Sequence, residues 1–112
     1  MMGIDVYRNV CDLLGRNISA ADNLYDGNDM KNVLSAINRV IFDLTDKKGE
    51  ITNLSQKINL TEPQSEALPY GVAMFLCLIE GDNERHAVFT EIYNKKRTRA
   101  KSHRSSVVDI MQ

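Results

Sequence analysis

Six of the chain's 14 Lys and Arg residues fall within residues 95–104, where Lys95, Lys96, Arg97, Arg99, Lys101 and Arg104 stand with no acid among them. A run of this kind either contacts phosphates and acidic protein surfaces or is simply a solvated charged tail. It contrasts with the rest of the chain. Residues 1–94 hold eight Lys/Arg against 14 Asp/Glu, so an acidic body carries a basic C-terminal arm behind a net formal charge of only −1. Base-specific readout would need a recognition helix with polar residues beside the basic surface. Asn94, Lys95 and Arg97 are available, but without helix-turn-helix spacing. Aromatic residues make up 6% of the chain and tryptophan is absent, which disfavours stacking on single-stranded bases.

Catalytic and metal-binding patterns are missing. The chain contains no glycine-rich phosphate loop, no HExxH and no GxSxG. His86 and His103 fall on a helix surface and in the basic run, where solvated imidazoles are expected. Asp82, Glu84 and His86 are close in sequence, yet alternate residues of a helix do not share a face, and Asp82 fits a helix cap. Cys11 and Cys77 sit far apart in separate apolar runs, the pattern of reduced core thiols rather than a CxxC pair. The expectation is a non-enzyme that takes no cofactor and no metal.

With 112 residues, 43% of them hydrophobic, the chain fits one globular domain spanning 1–112. Its longest apolar run, Val72 to Ile79, is too short to span a bilayer, and the N-terminus lacks a basic segment followed by an apolar one. A cytoplasmic start without membrane contact is expected.

The elements that must carry these residues read as helices. Ile4, Tyr7, Val10, Cys11 and Leu14 recur at helical spacing before Gly15, and residues 16–28 form a polar loop ending in Asn28 as a cap. Met30, Val33, Leu34, Ile37, Val40, Ile41 and Leu44 form the stripe of a second helix, which Asp46-Lys47-Lys48-Gly49 stops. Thr61-Glu62-Pro63-Gln64 has the form of a capping box. Pro69 predicts a break and restart, followed by a helix over Tyr70 to Ile79 that is apolar nearly all round and central to the core. Gly71 and Ala73 permit a neighbour to approach it closely. Gly81-Asp82 predicts a tight turn into a last helix with Val88, Phe89, Ile92 and Tyr93 on its apolar face. Residues 95–112 are expected as a basic, partly frayed arm, with fraying beyond Lys101 and a small apolar cluster at Val107, Val108, Ile110 and Met111.

Between the second helix and the capping box, Ile51, Leu54 and Ile58 fit a short helix, while Leu54, Ile58 and Leu60 partly alternate as in a strand. We read this stretch as extended. The fold expected is therefore all-α: a small bundle of four to five helices with a long extended connection, about 46–61, before the central apolar helix.

One order of signals resembles a known family. A helix holding Ala36-Ile37-Asn38-Arg39 is followed by Leu54-Ser55-Gln56-Lys57-Ile58-Asn59-Leu60, then Glu66-Ala67-Leu68-Pro69-Tyr70, then Glu80-Gly81-Asp82 and a helix with Ile92-Tyr93. From Asn28 to Lys101, about two-thirds of the chain, this resembles the tailed-bacteriophage head-tail connector (portal adaptor) proteins. The resemblance implies a structural subunit that forms a homo-oligomeric ring between the portal protein and a tail-side connector protein, in a virion assembled in the bacterial cytoplasm. The ring's channel would pass and retain DNA, with non-specific contact to the duplex backbone. On this reading Ile51, Leu54 and Ile58 form an inter-subunit arm, and the basic residues at 95–104 face DNA or the portal. The alternative is a small helical nucleic-acid-binding regulator that uses the basic arm.

Overall fold

Local sequence sets where each helix starts and stops. The structure, a computed structural model, describes residues 1–15 and 27–111, with side chains described for 1–15 and 30–101. Among the described residues the protein is a small all-α bundle of four helices: α1 (Gly3–Leu13), α2 (Gly27–Thr45), α3 (Glu62–Glu80) and α4 (Asn83–Met111). The expected loop over 16–28 falls largely outside the described residues. Helix α2 already includes Asn28, the residue that the sequence offers as its cap.

The capping box of α3 forms as the sequence predicts. Gln64 N donates to Thr61 Oγ1 at 3.3 Å, and Thr61 N donates to Gln64 Oε1 at 3.0 Å. At the other end Gly81 takes φ 75°, the left-handed conformation that glycine adopts without penalty. Gly81 N then donates to Leu78 O and Asp82 N to Cys77 O, which satisfies the last carbonyls of α3. Asp82 turns the chain straight into α4 by accepting from Arg85 N at 3.1 Å.

Helix α3 occupies the centre, packed against α1, α2 and α4. Its Ala67, Leu68, Val72 and Ala73 are fully buried, together with Val6 of α1 and Ile37 and Val40 of α2. Two expectations for this helix are corrected. It runs unbroken through Pro69 from Glu62 to Glu80. The ring's missing N–H removes one helical bond, and a local propensity of this size yields to burial on several sides. The buried stretch also begins before Tyr70, at Ala67 and Leu68, and ends at Cys77, short of Ile79. Leu78 and Ile79 are 53% and 55% exposed because the last turn passes beyond the dense packing, while Met74 and Phe75 are half-buried on the side of the helix away from Ala73, Leu76 and Cys77.

Gly71 explains how three helices meet so closely. A Cβ at this position would lie 2.7 Å from Val40 Cγ1 and 2.8 Å from Tyr93 Cε1. Helix α4 packs along α3 as far as Ala100, which is 5% exposed, and its backbone stays helical to Met111. The side chains beyond Lys101, where fraying is expected, lie outside those described. Among the described residues no helix is long and apolar enough to cross a membrane.

Residues 46–61 contain no helix, and their one bridge pairs Lys57 with Met2 antiparallel. The segment is fastened at several points. Gly3 N donates to Gln56 O and Ile4 N to Leu54 O, which also supplies acceptors to the orphan donors at the start of α1. Ile58 N donates to Met1 O at 2.7 Å. From α2, Asn38 reaches Ile51 twice: its Nδ2 donates to Ile51 O at 2.9 Å and its Oδ1 accepts from Ile51 N at 2.8 Å. A side-chain amide here takes the place of a neighbouring strand.

Candidate functional site

The basic residues singled out by the sequence lie along the middle of α4, where three of them, Arg97, Arg99 and Lys101, meet acids of the body. Arg97 Nε donates to Asp43 Oδ2 at 2.7 Å, and Tyr93 Oη donates to the same oxygen. Lys101 Nζ stands 3.7 Å from Asp46 Oδ1, and Arg99 Nη1 3.7 Å from Glu66 Oε2. Lys95 pairs with Glu91 one turn back, and the Lys96 ammonium sits 5.0 Å from the centre of the Tyr70 ring. The Arg104 side chain lies outside the described residues. Between Lys95 and Lys101 the basic run is part of α4, with Lys95 and Arg99 still largely exposed. An acidic body attracts a basic helix, and the helix lies down on it.

The electrostatics of the Asp43 cluster follow from this geometry. Partial burial pushes the Asp43 carboxyl up, but hydrogen bonds from Arg97 and Tyr93 and the charges of Arg97 and Lys101 outweigh it and hold the group below its usual range. Burial, followed by the hydrogen bond to Asp43, raises Tyr93 far above the ordinary phenol value, so its hydroxyl stays a donor. The hydrogen bond to Asp43 raises Arg97 further still. A permanently neutral phenol and a permanently charged guanidinium on one carboxylate make a structural clamp, with no group poised to exchange protons near neutrality.

The proposed inter-subunit residues point inward. Leu54 and Ile58 are 7% and 4% exposed and belong to the chain's own core, while Ile51 is half-buried against it. The outward side of the same segment presents Asn53, Ser55, Lys57 and Asn59. The anchors of the segment to α1 and α2 are internal to the subunit.

Three sequence readings concern chemistry at single residues. Neither Cys11 nor Cys77 is in a disulfide, and both are buried. His86 is not simply solvated: half-buried, its Nδ1 lies 2.9 Å from Met74 O, and since a carbonyl only accepts, Nδ1 carries the proton. His103 lies outside the described side chains. Among the described residues no three His, Cys, Asp or Glu side chains converge to hold a metal.

Sequence reasoning missed a groove of about 750 Å³ between the end of α2, the 46–61 segment and the start of α3. Ile41, Ile51 and Leu60 line it together with Lys47, Lys48 and Lys57, and Glu50 is the one acid among its lining residues. The three lysines are exposed and make no ion pair with any described residue. Nothing along the chain signals the groove, since only the fold brings residue 57 beside residues 47 and 48.

No protein-family model, curated protein or solved structure matches the chain.

Proposed function

We propose that the protein is a structural subunit of a phage or prophage head-tail connector, one that assembles as a ring on the portal and helps pass and retain DNA. The observation that carries this reading is where the resembling residues fall. Ala67-Leu68-Pro69, Glu80-Gly81-Asp82 and Ile92-Tyr93 all lie on the α3–α4 hairpin, as its buried centre, its tight turn and its returning face. Residues that define the resemblance are thus the ones that hold the hairpin together. The clamp at Asp43 and the absence of a converging metal cluster among the described residues are compatible with a scaffold role. Contact with DNA in such a ring is confined to backbone electrostatics.

The regulator reading draws less support, because Arg97 and Lys101, two of the basic residues it would use, are engaged by Asp43 and Asp46 of the same subunit. The deciding experiment mixes the purified chain with portal rings made from the portal gene of the same genome. Electron microscopy is expected to show an added ring of density on one portal face. Portal rings that stay bare at saturating concentrations of the chain would remove the connector reading.

A further inference from the structure

The loop groove and the end of α4 carry a more specific inference, which rests on the ring-forming reading above. The groove combines an apolar floor at Ile41, Ile51 and Leu60 with a cationic rim at Lys47, Lys48 and Lys57. A bare phosphodiester backbone would use the rim and leave the floor wet, whereas an apolar segment carrying an acid would use both. The chain contains one such segment. Its end reads Val107-Val108-Asp109-Ile110-Met111, four apolar residues around the only acid beyond Glu91.

This segment cannot reach the groove of its own subunit while α4 is intact. Lys101 stands beside Asp46, next to the rim residues Lys47 and Lys48, so α4 passes the groove's edge at this point. The helix then continues without interruption to Met111. At about 1.5 Å per residue, Val107 to Met111 lie about 9–15 Å farther along the axis than Lys101, and a continuous helix cannot fold back on itself. We infer that the groove receives residues 107–111 of a second copy of the chain, with Asp109 meeting the rim lysines. The contact joins unlike surfaces, a tail on one copy and a groove on the next, and such contacts propagate head to tail and close into rings.

The test titrates a synthetic peptide of residues 102–112 into the isotopically labelled full chain and follows backbone amide shifts. Saturable changes are expected at Lys47, Lys48, Ile51, Lys57 and Leu60. The K47E/K48E/K57E variant, whose substitutions are all at exposed positions and whose melt checks that it folds, should bind the peptide at least about tenfold more weakly. A peptide with Asp109→Lys should lose affinity for the wild-type chain and regain it on that variant. Absent shifts, shifts elsewhere, or indifference to the charge reversals would overturn the proposal. So would a short DNA duplex that moves these lysine signals when the peptide does not, which would make the groove a nucleic-acid site. Portal attachment is a separate readout, so failure of the connector reading and failure of the tail-in-groove contact are distinguishable.

Discussion

Asp43 on α2 and Arg97 on α4 share a hydrogen-bonded ion pair of 2.7 Å, fifty-four residues apart in sequence, and Tyr93 completes it from one turn away. Through this contact the basic run becomes part of the fold. A surface ion pair contributes little, but here two donors converge on one oxygen and the phenol is buried.

Asp43→Asn should therefore cost about 1 kcal/mol at neutral pH, a modest figure because the Asp43 and Arg97 side chains are 38% and 37% exposed. The sign with pH follows from the lowered carboxyl. Its stabilisation is present above the unfolded value of about 3.9 and is lost as pH falls through the still lower folded value. Urea unfolding at neutral pH and near pH 3 should show wild type and Asp43→Asn converging in acid. A gap of constant size would mean that Asp43 does not titrate with the fold.

Gly71→Ala should destabilise, although alanine is the better helix former by up to about 1 kcal/mol. The new methyl carbon would meet Val40 Cγ1 at 2.7 Å and Tyr93 Cε1 at 2.8 Å, inside van der Waals contact on two sides. Overpacking of this kind costs about 1–3 kcal/mol, and Val40→Ala in the same chain should recover part of it. Thermal melts of the single and double variants decide the matter, and a Gly71→Ala melt at or above wild type would refute the close approach.

Much of this architecture was legible in the residues. The stripe from Val33 to Leu44, the capping box at Thr61 and the turn at Gly81-Asp82 are signals written within a few residues, and each appears where its spacing puts it. Pro69 was misleading because its local cost is real but is overridden by contacts with α1, α2 and α4 that no window along the chain contains. The partners of the basic run were out of reach of the sequence for the same reason. Charge counted along the sequence cannot show that Asp43, Asp46 and Glu66 stand opposite Arg97, Lys101 and Arg99. The groove was illegible altogether, since Lys57 joins Lys47 and Lys48 only after the segment folds back under Asn38.

Leu68 and Leu78 lie on one helix and separate its buried face from its open end. Leu68 is fully buried and Leu68→Ala should cost about 2–5 kcal/mol, while Leu78, 53% exposed, should cost well under that on the same substitution. Denaturant unfolding of both variants checks the placement. Equal losses would mean that the apolar run is buried along its whole length.

Asn38→Ala should loosen the 46–61 segment more than it harms the bundle. The variant removes both hydrogen bonds to Ile51 and leaves the half-buried Ile51 N–H without its acceptor, a loss of about 1–3 kcal/mol. Leu54 and Ile58 remain in the core, so the segment should open locally from its α2 side. Hydrogen exchange at Ile51 should accelerate while amides at the centre of α3 keep most of their protection. Uniform acceleration throughout would show instead that the segment and the bundle open together.

The basic residues of α4 divide by partner, and this division predicts how the chain meets DNA. Arg97 and Lys101 are held against Asp43 and Asp46, and freeing them for phosphate would expose those carboxylates to the same phosphates. Lys95, with its side chain 78% exposed beside Glu91, and Arg99, 73% exposed beside Glu66, are weakly held and nearest to available. Replacing Arg97 and Lys101 with Gln should therefore lower the melting temperature and leave duplex binding almost unchanged. Replacing Lys95 and Arg99 should do the reverse, leaving the melt in place and reducing the salt dependence of any binding by about one counterion per lost phosphate contact. Fluorescence anisotropy with a short duplex at two salt concentrations, run beside the melts, separates the two pairs. A large drop in DNA affinity from the Arg97 and Lys101 pair, with no change in melting temperature, would show that the clamp at Asp43 opens for nucleic acid.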